Sequence, residues 1–192
     1  MSHPLPIQLL EEAYRQGIFP MADQRGRIQW FSPDPRTILP LDQFSPPLRL
    51  SRTIRQRKFT VTINRDFDGV IRGCANRDET WISPKIIEAY TLMHQQGKAH
   101  SIEAYHEGQL AGGLYGVSLG GGFMAESMFT VIRDASKICL AYLVRRLIER
   151  GFILLDIQYL TPHLEQFGAI EISRDEYLRR LEAALRIPCR FD

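Results

Sequence analysis

The chain has 192 residues, 44% of them apolar and 24% charged, enough for one compact core and too apolar for a disordered segment. A formal net charge of +2 is too small to point to a nucleic-acid or membrane partner by itself. Cys74, Cys139 and Cys189 are odd in number and far apart, so they make neither a disulfide framework nor a CxxC pair, and a reducing cytoplasm is the expected setting.

The opening residues carry Glu11, Glu12 and Arg15 and no sustained apolar run. No secretory leader is expected, and no later stretch is long enough to span a bilayer. Residues 5–17 read as a short helix closed by Gly17, a natural C-cap. From 18 to 47 proline and turn residues, with Phe19, Trp30 and Phe31 among them, suggest an irregular packed region with short strands. Residues 1–47 are therefore taken as an abbreviated N-terminal helix and loop region, and 48–192 as the main domain.

Alternation over 59–64 predicts a strand, followed by helices near 67–76 and 84–96. Ser83 and Pro84 give the second helix a cap and a first-turn proline. Residues 100–106 read as a strand, and 110–119 and 123–129 as a hairpin across Gly120-Gly121-Gly122. A helix over 136–150 closed by Gly151, a strand over 152–159 and a helix over 174–185 complete the chain. Helices, an antiparallel meander, then helix–strand–helix predict an α+β fold with a mostly antiparallel sheet. The order of elements is that of acyltransferases of the GNAT type.

Three polar features stand out. Asp156 and Gln158 share one face of an apolar strand, about 6–7 Å apart. Burying them without partners would cost roughly 1–3 kcal/mol, so they mark either a functional site or a solvated strand end. Glu126 lies between Met124 and Met128, expected on its own strand face, as a pocket acid or an edge carboxylate. Arg49, Arg52, Arg55, Arg57 and Lys58 form a basic run free of acids, suited to phosphates or to a solvated helix face. Lys137, Arg145, Arg146 and Arg150 form a weaker group.

Several chemistries find no support. The five histidines, His3, His94, His100, His106 and His163, lack metal-ligand spacing, so no metal is expected. The glycines at 120–122 join two strands, and Val117 stands where an acyl-coenzyme-A loop needs arginine or glutamine. Coenzyme A is not expected, nor any other cofactor. No Gly-x-Ser-x-Gly nucleophile motif occurs.

Taken in order, Gly17-Ile-Phe-Pro20, Trp30-Phe-Ser-Pro-Asp-Pro-Arg36, Thr80-Trp-Ile82, His100-Ser-Ile-Glu103, Gly112-Gly-Leu-Tyr-Gly116, Glu126-Ser-Met-Phe129, Ala135-Ser-Lys137 and Asp156-Ile-Gln158 closely resemble the bacterial leucyl/phenylalanyl-tRNA–protein transferases. The resemblance runs from about residue 8 to 180. It implies a GNAT-like catalytic domain, Leu-tRNA and Phe-tRNA as donors, and acceptor proteins with N-terminal Arg or Lys that become marked for N-end rule degradation. It further implies a cytoplasmic enzyme without cofactor or membrane partner, and a monomer is expected.

By the resemblance, Asp156 and Gln158 match the catalytic pair and Glu126 an acid beside the substrates. Trp81 matches a residue that contacts the donor's terminal adenosine, and Leu114, Phe123, Met128 and Leu143 match an apolar pocket for the donor side chain. Arg52, Arg55, Arg57 and Lys58 match a tRNA-binding cluster. The chain departs from the family at Met21, where a tryptophan is usual, and in its shorter N-terminal extension. Two roles are expected on chemical grounds: Asp156 orients the Gln158 carboxamide by a hydrogen bond, and Glu126 or Glu103 supplies part of an anionic subsite for the acceptor.

Overall fold

Residues 5–192 are described by a computed structural model of the chain; His3 lies outside them. The local signals act as expected in the main domain. Ser83 Oγ accepts from Ile86 N at 3.5 Å at the start of helix Pro84–Gln95, and a cap not singled out in the sequence, Asp66, accepts from Gly69 N through Oδ1 at 2.9 Å at the start of helix Phe67–Ala75. Gly17 and Gly151 adopt φ of +75° and +77° after the helices Ile7–Arg15 and Ala135–Glu149. A side chain at Gly17 would also strike the ring of Tyr177, 2.9 Å from an added Cβ.

In chain order the elements are α1 (Ile7–Arg15), β1 (Phe19–Ala22), β2 (Ile28–Phe31), β3 (Arg36–Ile38), α2 (Leu48–Arg55), β4 (Thr60–Ile63), α3 (Phe67–Ala75), α4 (Pro84–Gln95), β5 (Ala99–His106), β6 (Gln109–Leu119), β7 (Gly122–Thr130), α5 (Ala135–Glu149), β8 (Leu154–Gln158), α6 (Pro162–Glu165), β9 (Ile170–Ile172) and α7 (Arg174–Leu185). Helix α2 realises the helical reading of the basic run. Four-residue α6 and three-residue β9 are too short to leave a periodic trace in sequence.

Among the described residues, seven strands form one sheet in the order β4-β5-β6-β7-β8-β3-β9, and β1 pairs with β2 in a separate hairpin. Every neighbouring pair in the large sheet is antiparallel except β7 and β8, which helix α5 connects in parallel. The run β4-α3-α4-β5-β6-β7-α5-β8 is the acyltransferase order expected from sequence. Strand β3, from before residue 47, lies between β8 and β9.

The sheet buries both faces. Ile138, Leu140, Leu143, Val144 and Leu147 of α5 pack one face against Ile102, Leu114, Phe123 and Leu155. On the other, Val70 and Ile71 of α3 and Ile86, Tyr90 and Met93 of α4 pack with Leu10 and Tyr14 of α1 against Tyr115, Val117 and Met124. Helix α7 covers Ile38 and Leu154 with Tyr177 and Leu181. Cys74 and Cys139 are buried in these cores as small apolar groups, and burial raises the Cys74 thiol to about 12. Among the described residues no helix is long and apolar enough to cross a membrane, and no cluster of three potential ligands is placed to hold a metal ion.

Candidate active site

The site arises where β7 and β8 part. Their parallel pairing runs through Gly122–Leu154 and Phe123–Leu155 and stops at Met124–Asp156. Beyond that point Ala125, Glu126, Ser127 and Met128 on one side and Ile157, Gln158 and Tyr159 on the other line a cavity of about 290 Å³. Phe19, Met21 and Trp81 close it from the N-terminal hairpin and the loop before α4, and Leu114, Leu140 and Leu164 supply more apolar wall.

A bulge aims Glu126 into this space. Gly116 pairs with Ala125 and Tyr115 with Ser127, so Glu126 is an extra residue without a partner on β6. The bulge also corrects the expectation that Met124, Glu126 and Met128 share a face: Met124 enters the core beneath α3 and α4, while Met128 packs toward α5. Alternation cannot continue across an inserted residue.

Glu126 is 7% exposed, and burial pushes its carboxyl up to about 8, although the Tyr14 and Tyr90 hydroxyls and Arg36 pull the other way. Tyr90 Oη donates to Glu126 Oε2 at 3.4 Å, and the hydroxyls of Tyr90 and Tyr14 hydrogen-bond each other. Burial first, then the charge of Glu126, holds both tyrosines well above their ordinary range, so they keep their protons. Gln158 Nε2 donates to Glu126 Oε1 at 3.0 Å. That leaves Gln158 Oε1 as the carboxamide atom available to a substrate.

Asp156 is not on the cavity wall. It is fully buried and forms a two-point pair with Arg36, whose Nε donates to Oδ1 at 2.8 Å and Nη2 to Oδ2 at 2.5 Å. Tyr177 Oη donates to Oδ2 at 2.9 Å, and Arg36 Nη1 donates to the carbonyl of Gly17 at 3.1 Å. The guanidinium lies between the rings of Phe19 and Tyr177, 4.8 and 4.4 Å from their centroids. The expected bond from Asp156 to the Gln158 carboxamide is replaced: Asp156 Oδ1 accepts from the Gln158 backbone N at 3.0 Å, and Glu126 holds the side chain. The reason is backbone conformation. Gln158 has φ +59°, which turns its side chain off the strand alternation toward β7. Neither residue is a solvated strand end.

Of the other expected residues, Trp81, Leu114 and Met128 line the cavity, and Trp81 is half-buried. Phe123 and Leu143 do not. Phe123 precedes the point of divergence and stacks on Phe191 with centroids 5.1 Å apart, and Leu143 lies within the α5 core behind Leu140. Glu103 is also corrected as a subsite: it is fully buried, remote from the lining, and accepts from Thr62 Oγ1 and Ser101 Oγ, each at 2.5 Å. Arg52, Arg55, Arg57 and Lys58 are exposed on α2 and the turn after it. Arg36, Tyr14, Tyr90 and Tyr177 carried no signal of a role in sequence, and Met21 lines the cavity.

An α+β fold whose mostly antiparallel sheet parts over an apolar cavity, with an acid and a carboxamide at the parting, fits the class of enzymes that transfer an acyl group. The family model described as leucyl/phenylalanyl-tRNA protein transferase matches residues 38–182, and the one described as its N-terminal domain matches residues 4–34. A leucyl/phenylalanyl-tRNA–protein transferase of Rubrobacter xylanophilus is 53% identical over 95% of this chain and 96% of its own length. Its counterpart in Gloeobacter violaceus is 50% identical over 97% of each. Among solved structures, a ribosomal-protein-alanine N-acetyltransferase of Brucella melitensis matches at 16% identity and a TM-score of 0.42, over 56% of this chain and 84% of that one. The chain belongs to the leucyl/phenylalanyl-tRNA–protein transferase family and is an aminoacyltransferase.

Proposed function

We propose that this chain transfers leucine or phenylalanine, and methionine as a third donor, from aminoacyl-tRNA to the N-terminal α-amine of proteins beginning with Arg or Lys. It acts as a cytoplasmic monomer without cofactor, and its products are marked for N-end rule degradation. One observation carries the reading: the Glu126–Gln158 pair stands in the wall of an otherwise apolar cavity, where the parted strands leave room for an esterified amino acid.

The donor is already an activated ester, so the protein has to position and to handle a proton. Leu114, Met128, Leu140 and Leu164 offer the donor side chain an apolar seat, and Trp81 offers a ring to its terminal adenosine. Discrimination there is modest, since one methylene is worth about 1–3 kcal/mol. Gln158 Oε1 accepts a hydrogen bond from the incoming amine and directs its lone pair at the ester carbonyl. Positioning of this kind contributes several kcal/mol, and each aimed donor to the oxyanion about 2.7–4 kcal/mol.

An α-amine has a pKa near 8, so an appreciable neutral fraction exists at neutral pH. As the C–N bond forms, ionised Glu126, whose carboxyl titrates at about 8, takes the proton the amine sheds; it returns that proton to the ribose oxygen as the ester C–O bond breaks, and uncharged tRNA leaves with a free hydroxyl. Asp156 acts as a positioning residue through the Gln158 backbone, and Arg52, Arg55, Arg57 and Lys58 face the tRNA phosphates. The test is direct: purified protein, Leu-tRNA and a peptide beginning with Arg should yield a Leu-Arg peptide bond. Failure to form it at any salt concentration sinks the proposal.

A further inference from the structure

A second cavity, of about 530 Å³, adjoins the first and shares Arg77 and Met128 with it; Asn76, Thr130, Ser136 and His163 are among its other walls. We infer that it seats the phosphate on the 5′ side of the donor's terminal adenosine. The inference rests on the transferase reading.

The walls suit an oxyanion. Among the described residues that line the cavity none is acidic. Helix α5, fifteen residues long, opens onto it through Ser136, its second residue, so the positive end of its dipole faces the space. Ser136 is only 7% exposed, yet it lines the cavity. Its backbone N–H goes to Thr130 Oγ1 at 3.4 Å, while its hydroxyl has no protein partner among the described residues. The hydroxyl opens into the cavity and is not sealed, so a phosphate oxygen would replace water on it.

Arg77 stands on the wall between the cavities. Its Nη2 donates to the Met128 carbonyl at 2.5 Å and to Ser127 Oγ at 3.4 Å, and no carboxylate pairs with it among the described residues. His163 is held below its ordinary value, by burial first and Lys137 second, so it offers a hydrogen bond and not a charge. Asp134, which caps α5, is occupied by Arg49 at 2.9 Å and Lys137 at 3.9 Å. Arg49 belongs to α2, so a strand leaving the cavity across the start of α5 meets the basic face of α2. With the ester in the first cavity, the next anionic group along the donor is this phosphate.

The test compares two minimal donors that differ only in that group: leucine esterified to adenosine, and leucine esterified to adenosine 5′-monophosphate. The wild-type kcat/KM is expected to be about tenfold higher for the phosphorylated donor, the effect of one charge-assisted hydrogen bond. In Ser136→Ala and in Arg77→Gln that ratio should fall toward one. A wild-type ratio of one, with normal transfer from Leu-tRNA, overturns the phosphate seat alone, and this comparison needs no variant to fold. No transfer from Leu-tRNA itself falls on the transferase reading instead.

Discussion

In the proposed mechanism Glu126 governs the pH behaviour of the site. Its carboxyl titrates at about 8, close to the acceptor amine, so wild-type kcat/KM should climb through that region more steeply than amine ionisation alone allows. The isosteric Glu126→Gln should leave only the shallower dependence; superimposable profiles in a peptide assay would remove Glu126 from proton transfer. The same shift bears on stability. A carboxyl raised in the folded state binds a proton that the unfolded chain releases from about pH 4.5, so stability should fall between about pH 5 and 8, and fall less in Glu126→Gln. Asp156→Ala should cost about 3–5 kcal/mol in urea unfolding, because it leaves the Arg36 guanidinium buried and unpaired. At Gln158 the backbone can be separated from the side chain. Gln158→Gly and Gln158→Ala remove the same carboxamide, but at φ +59° the glycine variant should be more stable by about 1 kcal/mol; equal melting temperatures would mean the strand relaxes there.

Among the elements, α2 carries the most separable property. Arg52 and Arg55 are exposed on it, so replacing both by Ala should weaken donor binding and flatten its salt dependence, the slope falling by about 0.7–0.9 for each phosphate no longer neutralised. An unchanged slope in a binding titration would remove this helix from the tRNA surface. Elements with local signals are legible in the sequence: the cap at Ser83, the stop at Gly151 and the glycine turn between β6 and β7 all lie where sequence puts them. The bulge at Glu126 is not, because a single unpaired residue is decided by packing across two strands and leaves no mark in either alone. For the same reason Phe123 and Leu143, apolar and suitably spaced, are indistinguishable in sequence from Leu140; only the parting of the strands after Met124 separates them. Arg36 is the least visible. It emerges from a proline-rich stretch, and only its burial beside Asp156 gives it meaning.

At the scale of the molecule, the polar floor of the site is assembled from most of the chain's length. Tyr14 comes from α1, Arg36 from β3, Tyr90 from α4, Glu126 from β7, Asp156 and Gln158 from β8 and Tyr177 from α7. The cavity wall itself is complete by Leu164. A polypeptide emerging from the ribosome without α7 would therefore own every surface that lines the cavity, but lack the ring and hydroxyl that clamp Arg36 and Asp156. The geometry of the site thus leans on a helix that gives nothing to its wall.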